Sequence, residues 1–311
     1  MHGALLVDKP CGPTSHDIVA FARRTLKTPG IGHTGTLDPL ATGLLVLLIG
    51  YATRLSQFLV TDEKEYLADI RLGIATATYD AQGLEPETEG RRLEVDVTPE
   101  QIRAALPDFL GTFPQLPPPF SAKKVGGVRA YQKARRNEVV VLKPVEVTVR
   151  ELELLEPTAA RQHPGASQPI STLLRLRIVS SSGFYVRSLA HDLGQLLGCG
   201  AHLEALRRTR AGQFSVADAL TLDAVEAAGE AVAGRLVDLN VLLARMPAVT
   251  LTDEGNRRAW NGNTLAPHHL QGLPADLADA ARVRVLAPSG AVLAVAERRA
   301  DGLLHPLVVL R

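Results

Sequence analysis

The chain has only two cysteines in 311 residues, Cys11 in "KPCG" and Cys199 in "LGCGAH". They stand at no metal-ligand spacing, and so few thiols build no disulfide framework. No P-C-x-x-C element is present, which excludes zinc-dependent deamination of bases. Long apolar runs are missing too: Leu44 to Ile49 is far too short to cross a bilayer. The N-terminus "MHGALLVDKP" has no basic start and an apolar run of only four residues before Asp8, so it does not read as a signal peptide. A soluble cytoplasmic protein without membrane association is the expectation. Net charge is nearly absent as well, at +1, while 46% hydrophobic and 22% charged residues describe a globular chain. The length suits one large domain and a smaller one.

The even balance hides an uneven distribution. Between residues 122 and 143 lie seven Lys/Arg (Lys123, Lys124, Arg129, Lys133, Arg135, Arg136 and Lys143) against the single acid Glu138. Such a run is ordinarily a solvated face; contact with nucleic acid is the alternative. Three prolines precede it and a Gly-Gly pair interrupts it, so the segment reads as a projecting arm.

Local patterning suggests the elements. "KPCGPTSHDIVAFARRTLK" is a Gly/Pro turn feeding a helix with Ser15 as N-cap and Asp17 in the first turn. Alternation of Ala68, Ile70, Leu72 and Ile74 argues a half-buried strand. Thr98, Pro99 and Gln101 predict a capped helix start. "PVEVTVRELELLEP" and "LLRLRIVSSS" predict two more strands. "GFYVRSLAHDLGQLLGCG" turns into a helix with Leu189, Leu193, Leu196 and Leu197 on its apolar side and Gly198 at C′. "AHLEALRRTRAGQFSV" follows as a strand and turn. From about Pro247 short strands joined by Gly turns form a small β domain. Strands and helices do not alternate strictly, so the expected fold is α+β, a mixed and largely antiparallel sheet flanked by helices.

One stretch is unusual. In "GIGHTGTLDPLATGLLVLLIG" (30–50) the glycines and Pro39 force a tight bend at Asp38, which a helix cannot continue through. The carboxylate either caps neighbouring backbone N–H groups or does chemistry, and the turn alone favours the cap. His33, Tyr66 and Tyr185 read singly as packing residues, and Arg187 as a surface residue.

In combination they resemble a known series. "GHTGTLDPLATGLL", with "KPCGPTS" upstream and "EKEYLADIRLG", "SSSGFYVRSLAHDLG" and "GCGAHLEALRRTRAG" downstream in this order, resemble the motifs of the bacterial tRNA pseudouridine synthase B (TruB) family. The resemblance implies isomerisation of the uridine at position 55, in the TΨC loop of tRNA, to pseudouridine, with no cofactor and no metal. It implies that Asp38 is the nucleophile, Tyr66 packs on the target base, Arg187 pairs with Asp38, and Tyr185 and Leu206 complete the pocket. It further places His33 in the space left by the opened loop, and Lys9 and Pro10 along the cleft. The implied layout is a pseudouridine synthase catalytic domain over 1–246, a basic thumb-like insertion over about 114–143 carrying Lys123 and Lys124, and a PUA-like RNA-binding domain over 247–311. Residues 157–171 look like a local insertion. No protein partner is implied, and a monomer is expected.

Two other readings compete. A protein that binds or folds RNA through the same cleft without turnover would use most of these residues equally well. A carboxylate-pair hydrolase would need a second acid beside Asp38, and Asp62, Glu63 and Glu65 read better as a solvated turn.

Overall fold

The structure, a computed structural model, describes residues 1–60, 63–83, 97–121, 124–125, 128–129, 142–158, 173–272 and 282–311. The apolar run Leu44–Ile49 lies in strand β3 (Thr42–Ile49), with β1 (Gly3–Lys9) on one side and the short β2 (Ile31–His33) on the other, both antiparallel to it. Both faces of this pair are covered. Leu5, Val7, Leu45, Leu47 and Ile49 enter one core, while Ala4, Leu6, Leu44, Val46 and Leu48 enter a second. A strand buried on both faces has no polar side to show, which is why this run does not alternate.

The sheet continues through β4 (Lys64–Leu72), β5 (Gly111–Gln115), β8 (Val145–Thr158), β9 (Leu173–Ser180), β10 (Ala201–Ala211) and β11 (Phe214–Ser215). The order across it is β1, β3, β10, β4, β9, β8, β5, with β11 added to β10. Among the described residues every pairing in it is antiparallel except β10 with β3, where Arg207 lies opposite Thr42 and Arg208 opposite Gly43. That junction needs glycine: Gly43 has φ +99°, and a Cβ there would collide with the Arg208 carbonyl oxygen. The pairing Lys124–Val125 (β6) with Val128–Arg129 (β7) stands apart from this sheet.

Helices α1 (Ser15–Thr25), α2 (Ser56–Leu59), α3 (Pro99–Ala105) and α4 (Val186–Leu196) accompany the sheet, followed by α5 (Leu222–Ala228) and α6 (Leu239–Leu242). Ile18, Val19, Ile102, Leu189 and Leu193 enter the main core, each burial of this kind stabilising by about 1.5–3 kcal/mol. Thr98 and Gln101 form the expected capping box at α3. At α1 the cap is Thr14, not Ser15, because Asp17 lies three residues after Thr14 and bonds back to it. Gly198 follows the C-cap of α4 with φ +71°, as expected, but Leu196 is exposed. Strand β4 ends at Leu72 rather than Ile74.

The arm begins later than residue 114, since Pro114 and Gln115 pair with Glu146 and Val145 in the edge strand β5. Lys123, Lys133, Arg135 and Arg136 lie outside the described residues, and Lys124 and Arg129 are described by their backbone alone. Of the 157–171 segment, residues 157 and 158 end β8 and the rest lie outside the described residues.

A second sheet follows, in the order β12 (Ala248–Thr250), β13 (Arg282–Leu286), β14 (Val292–Arg298), β15 (Leu304–Val309). With it comes a helix the texture does not announce, α7 (Asp253–Trp260), capped by Thr252. Val292, Val295 and Leu310 pack in one core with Leu6, Leu44 and Leu48 of the main sheet. The Arg54 guanidinium also donates to the Val309 carbonyl at 2.7 Å. Among the described residues no helix is long and apolar enough to cross a membrane.

Candidate active site

Asp38 sits on a loop between β2 and β3 that the N-terminal segment clamps from both sides. Before it, Ser15 accepts a hydrogen bond from Leu37 N at 2.8 Å and donates to Leu37 O at 3.0 Å. After it, the fully buried Lys9 donates to Ala41 O at 2.6 Å and Pro39 O at 3.3 Å, and Gly12 N donates to Pro39 O at 2.8 Å. The segment "KPCGPTS" is therefore a backbone cradle for the aspartate. Burial pushes the Lys9 ammonium below its ordinary range, while Cys11 and Asp38 pull it back. Lys9 lies beneath the loop instead of lining the cleft, and Pro10 is exposed outside it.

The Asp38 carboxylate caps no backbone N–H among the described residues. It accepts from Arg187 Nη2 at 3.1 Å and lies 2.9 Å from Nε, a two-toothed approach. Arg187, which its helix position taken singly would put at the surface and the resemblance would pair with Asp38, is almost fully buried at the start of α4. Its third nitrogen, Nη1, donates to Thr78 O at 3.3 Å and Phe120 O at 3.1 Å and stands 3.4 Å from Asp80. Asp80 is buried and held by Thr78 Oγ1 at 2.6 Å and Gln82 N at 3.1 Å. Burial raises the Asp38 carboxyl above the usual range and Asp80 adds to this, whereas Arg187 and Lys9 lower it.

These groups face a cleft of about 380 Å³ lined by Asp38, Tyr66, Tyr185, Arg187 and Leu206, five of the residues expected there. Tyr66 on β4 and Leu206 on β10 come from neighbouring strands. Tyr185 precedes α4 and is pinned by Gln115, whose amide accepts from Tyr185 N at 2.8 Å and donates to Tyr185 O at 3.0 Å. Burial raises the Tyr185 phenol. His33 stands behind the lining; burial and Arg208 lower its imidazole, and its Nδ1 has no partner among the described residues. Glu65 belongs to β4 rather than a solvated turn, and is engaged by Arg177 at 2.8 Å and Thr209 at 2.7 Å. Glu63 pairs with Arg150. Neither lines the cleft. Among the described residues no group of three His, Cys, Asp or Glu could hold a metal ion. Asp80, Gln115 and Arg208 carry no sequence signal of their own, since each has partners far away in the chain.

The model of the TruB family pseudouridylate synthase N-terminal domain matches residues 23–186, and that of the tRNA pseudouridylate synthase B C-terminal domain matches 187–244. The chain belongs to the TruB family. It is 42% identical over 312 residues to tRNA pseudouridine synthase B of Solibacter usitatus, covering 100% of both chains. It is 42% identical over 307 residues to the Thermobifida fusca protein of that name, covering 99% of this chain and 98% of the relative. The fold is shared with solved structures of archaeal box H/ACA Nop10-Cbf5 (TM-score 0.69, 23% identity, 100% of this chain and 86% of the other) and Cbf5-Nop10-Gar1 (TM-score 0.70, 24% identity, 100% and 85%). The two TruB matches meet between Val186 and Arg187, so the arginine and its aspartate fall in different matched segments.

Proposed function

We propose that this protein converts a uridine of tRNA to pseudouridine, at position 55 in the TΨC loop, with Asp38 as its nucleophile. The family membership supports the reaction, and the two-toothed Arg187–Asp38 contact at the floor of an aromatic cleft carries the assignment of residues. The reaction breaks the C1′–N1 bond, turns the uracil and joins C1′ to C5; the C5 hydrogen leaves and N1 gains a proton. It is redox-neutral. Attack at C1′, attack at C6 or removal of a ribose proton all need an ionised carboxylate. Burial opposes that ionisation, and the guanidinium restores it while fixing the orientation of the two oxygens.

The uridine must leave the RNA stack, at a cost of a few kcal/mol, and the cleft must receive it. Tyr66, Tyr185 and Leu206 offer aromatic and apolar surface for that purpose. The basic arm, with Lys123 and Lys124, grips phosphates without reading sequence. Residues 1–246 form the catalytic unit in this reading, and 247–311 a PUA-like module adding RNA affinity. The protein acts in the cytoplasm as a monomer.

The test is incubation with a bare TΨC stem-loop transcript and mapping of pseudouridine. Formation at one uridine supports the reading. Tight binding without any pseudouridine would favour an RNA-binding protein that uses the same cleft.

A further inference from the structure

The cleft holds a second arginine that the chemistry above does not use. Arg208 on β10 is only 2% exposed, yet it lines the cleft. Its Nε donates to Leu44 O at 2.7 Å and its Nη2 to Gly35 O at 3.1 Å. Nη1 has no acceptor, and no carboxylate pairs with this guanidinium, among the described residues. Arginines of this sheet that do meet a carboxylate, such as Arg207 with Asp8 at 2.7 Å and Arg71 with Glu204 at 3.0 Å, are more exposed than Arg208. Burying a guanidinium without an anion is costly, so an unpaired one in a cleft marks a place where an anion arrives.

Register locates it. Arg208 is directly opposite Tyr66 on β4, and Leu206 lies two residues away on the same strand, so the three share one face. The two backbone carbonyls fix the guanidinium plane.

We propose that Arg208 binds a backbone phosphate of the RNA, one of the two that the flipped uridine carries with it. The inference rests on the RNA reading above. Arginine suits this task because its planar donors match phosphate oxygens while its other nitrogens stay engaged. The flipped nucleotide is thereby held at both ends, its base against Tyr66, Tyr185 and Leu206 and its phosphate at Arg208. Arg187 remains engaged by Asp38, Asp80 and the Thr78 and Phe120 carbonyls.

The experiment uses TΨC stem-loops in which single phosphates are replaced by uncharged methylphosphonates, with binding and pseudouridine formation read separately. With the wild-type protein, one linkage flanking the target uridine should weaken binding about tenfold to a hundredfold, the loss expected for one charged hydrogen-bonded contact. Arg208→Gln should lose about as much on unmodified RNA and nothing further at that linkage, while Arg208→Lys should recover part. Equal wild-type losses at all linkages would overturn the proposal without any variant having to fold. So would losses that multiply in Arg208→Gln, since Arg208 would then only hold the Gly35 and Leu44 carbonyls. Coupling without pseudouridine would remove the catalytic reading alone, and pseudouridine without coupling would remove this inference alone.

Discussion

Asp80 stands 3.4 Å from Nη1 of Arg187, at the end of the guanidinium opposite Asp38. The arginine is thus strung between two carboxylates, of which the proposed reaction uses Asp38 and leaves Asp80 to aim the guanidinium. Asp80→Asn keeps the size of the side chain but removes the charge that holds Nη1. Loss of aim on the scale of an ångström lowers the single-turnover rate, on the order of tenfold to a hundredfold, with little change in RNA affinity. Because Asp80 raises the Asp38 carboxyl, the acid limb of the residual activity should move to lower pH. A wild-type rate would show that Arg187 needs no rear support.

Arg187→Met shifts that limb the other way. Arg187 lowers the Asp38 carboxyl against burial, so without it the group requires a higher pH to ionise and activity begins at higher pH. Lysine should restore only part of the rate, since a point charge lacks the fork. Release of the uracil C5 hydrogen from acid to neutral pH measures both effects, and an unshifted limb in the Met variant would dissociate Arg187 from Asp38.

Asp38→Asn preserves the loop and removes the carboxylate. RNA binding should persist while turnover falls below detection; turnover within about tenfold of wild type would exclude the nucleophile.

Lys9→Met tests the cradle. The substitution removes the Lys9 donor from the buried Ala41 carbonyl, at a cost of about 1–3 kcal/mol for such a group, while Pro39 O keeps its bond from Gly12 N. Denaturant unfolding should report this destabilisation. A variant of unchanged stability but weakened RNA binding would return Lys9 to the cleft.

Replacing Lys123, Lys124, Arg135 and Arg136 with Ser should flatten the salt dependence of binding, by about 0.7–0.9 in log–log slope for each phosphate no longer neutralised. An unchanged slope would make the arm a solvated face.

Local physics is legible in the sequence and distant partnership is not. Thr98, Pro99 and Gln101 declare the start of α3 because the cap is complete within four residues. At α1 the sequence points one residue too far along, since Thr14 and Ser15 are both good caps and only the structure shows Ser15 taken up by Leu37. Strand β3 shows no period because both of its faces are buried. Motif resemblance singles out Asp38, Tyr66, Arg187, Tyr185 and Leu206, and the structure gathers them in one cleft. Asp80 and Arg208 escape such a reading because a buried ion pair, or a guanidinium with no carboxylate beside it among the described residues, is defined by residues over a hundred positions away, which no local pattern records.

The parallel junction of β10 with β3 bears on the order in which the molecule is assembled. Without residues 201–211 the strand pairings fall into two sets, β1, β2 and β3 in one and β4, β9, β8 and β5 in the other, each with an open edge. Strand β10 zips them together; Thr42 Oγ1 donates to Leu206 O across 164 positions of chain. A ribosome must deliver about two thirds of this polypeptide before the halves can meet, and contacts so far apart in sequence close slowly. Nascent chains stalled before β10 should therefore be aggregation-prone at two edges and inert toward RNA, whatever helices they have already formed.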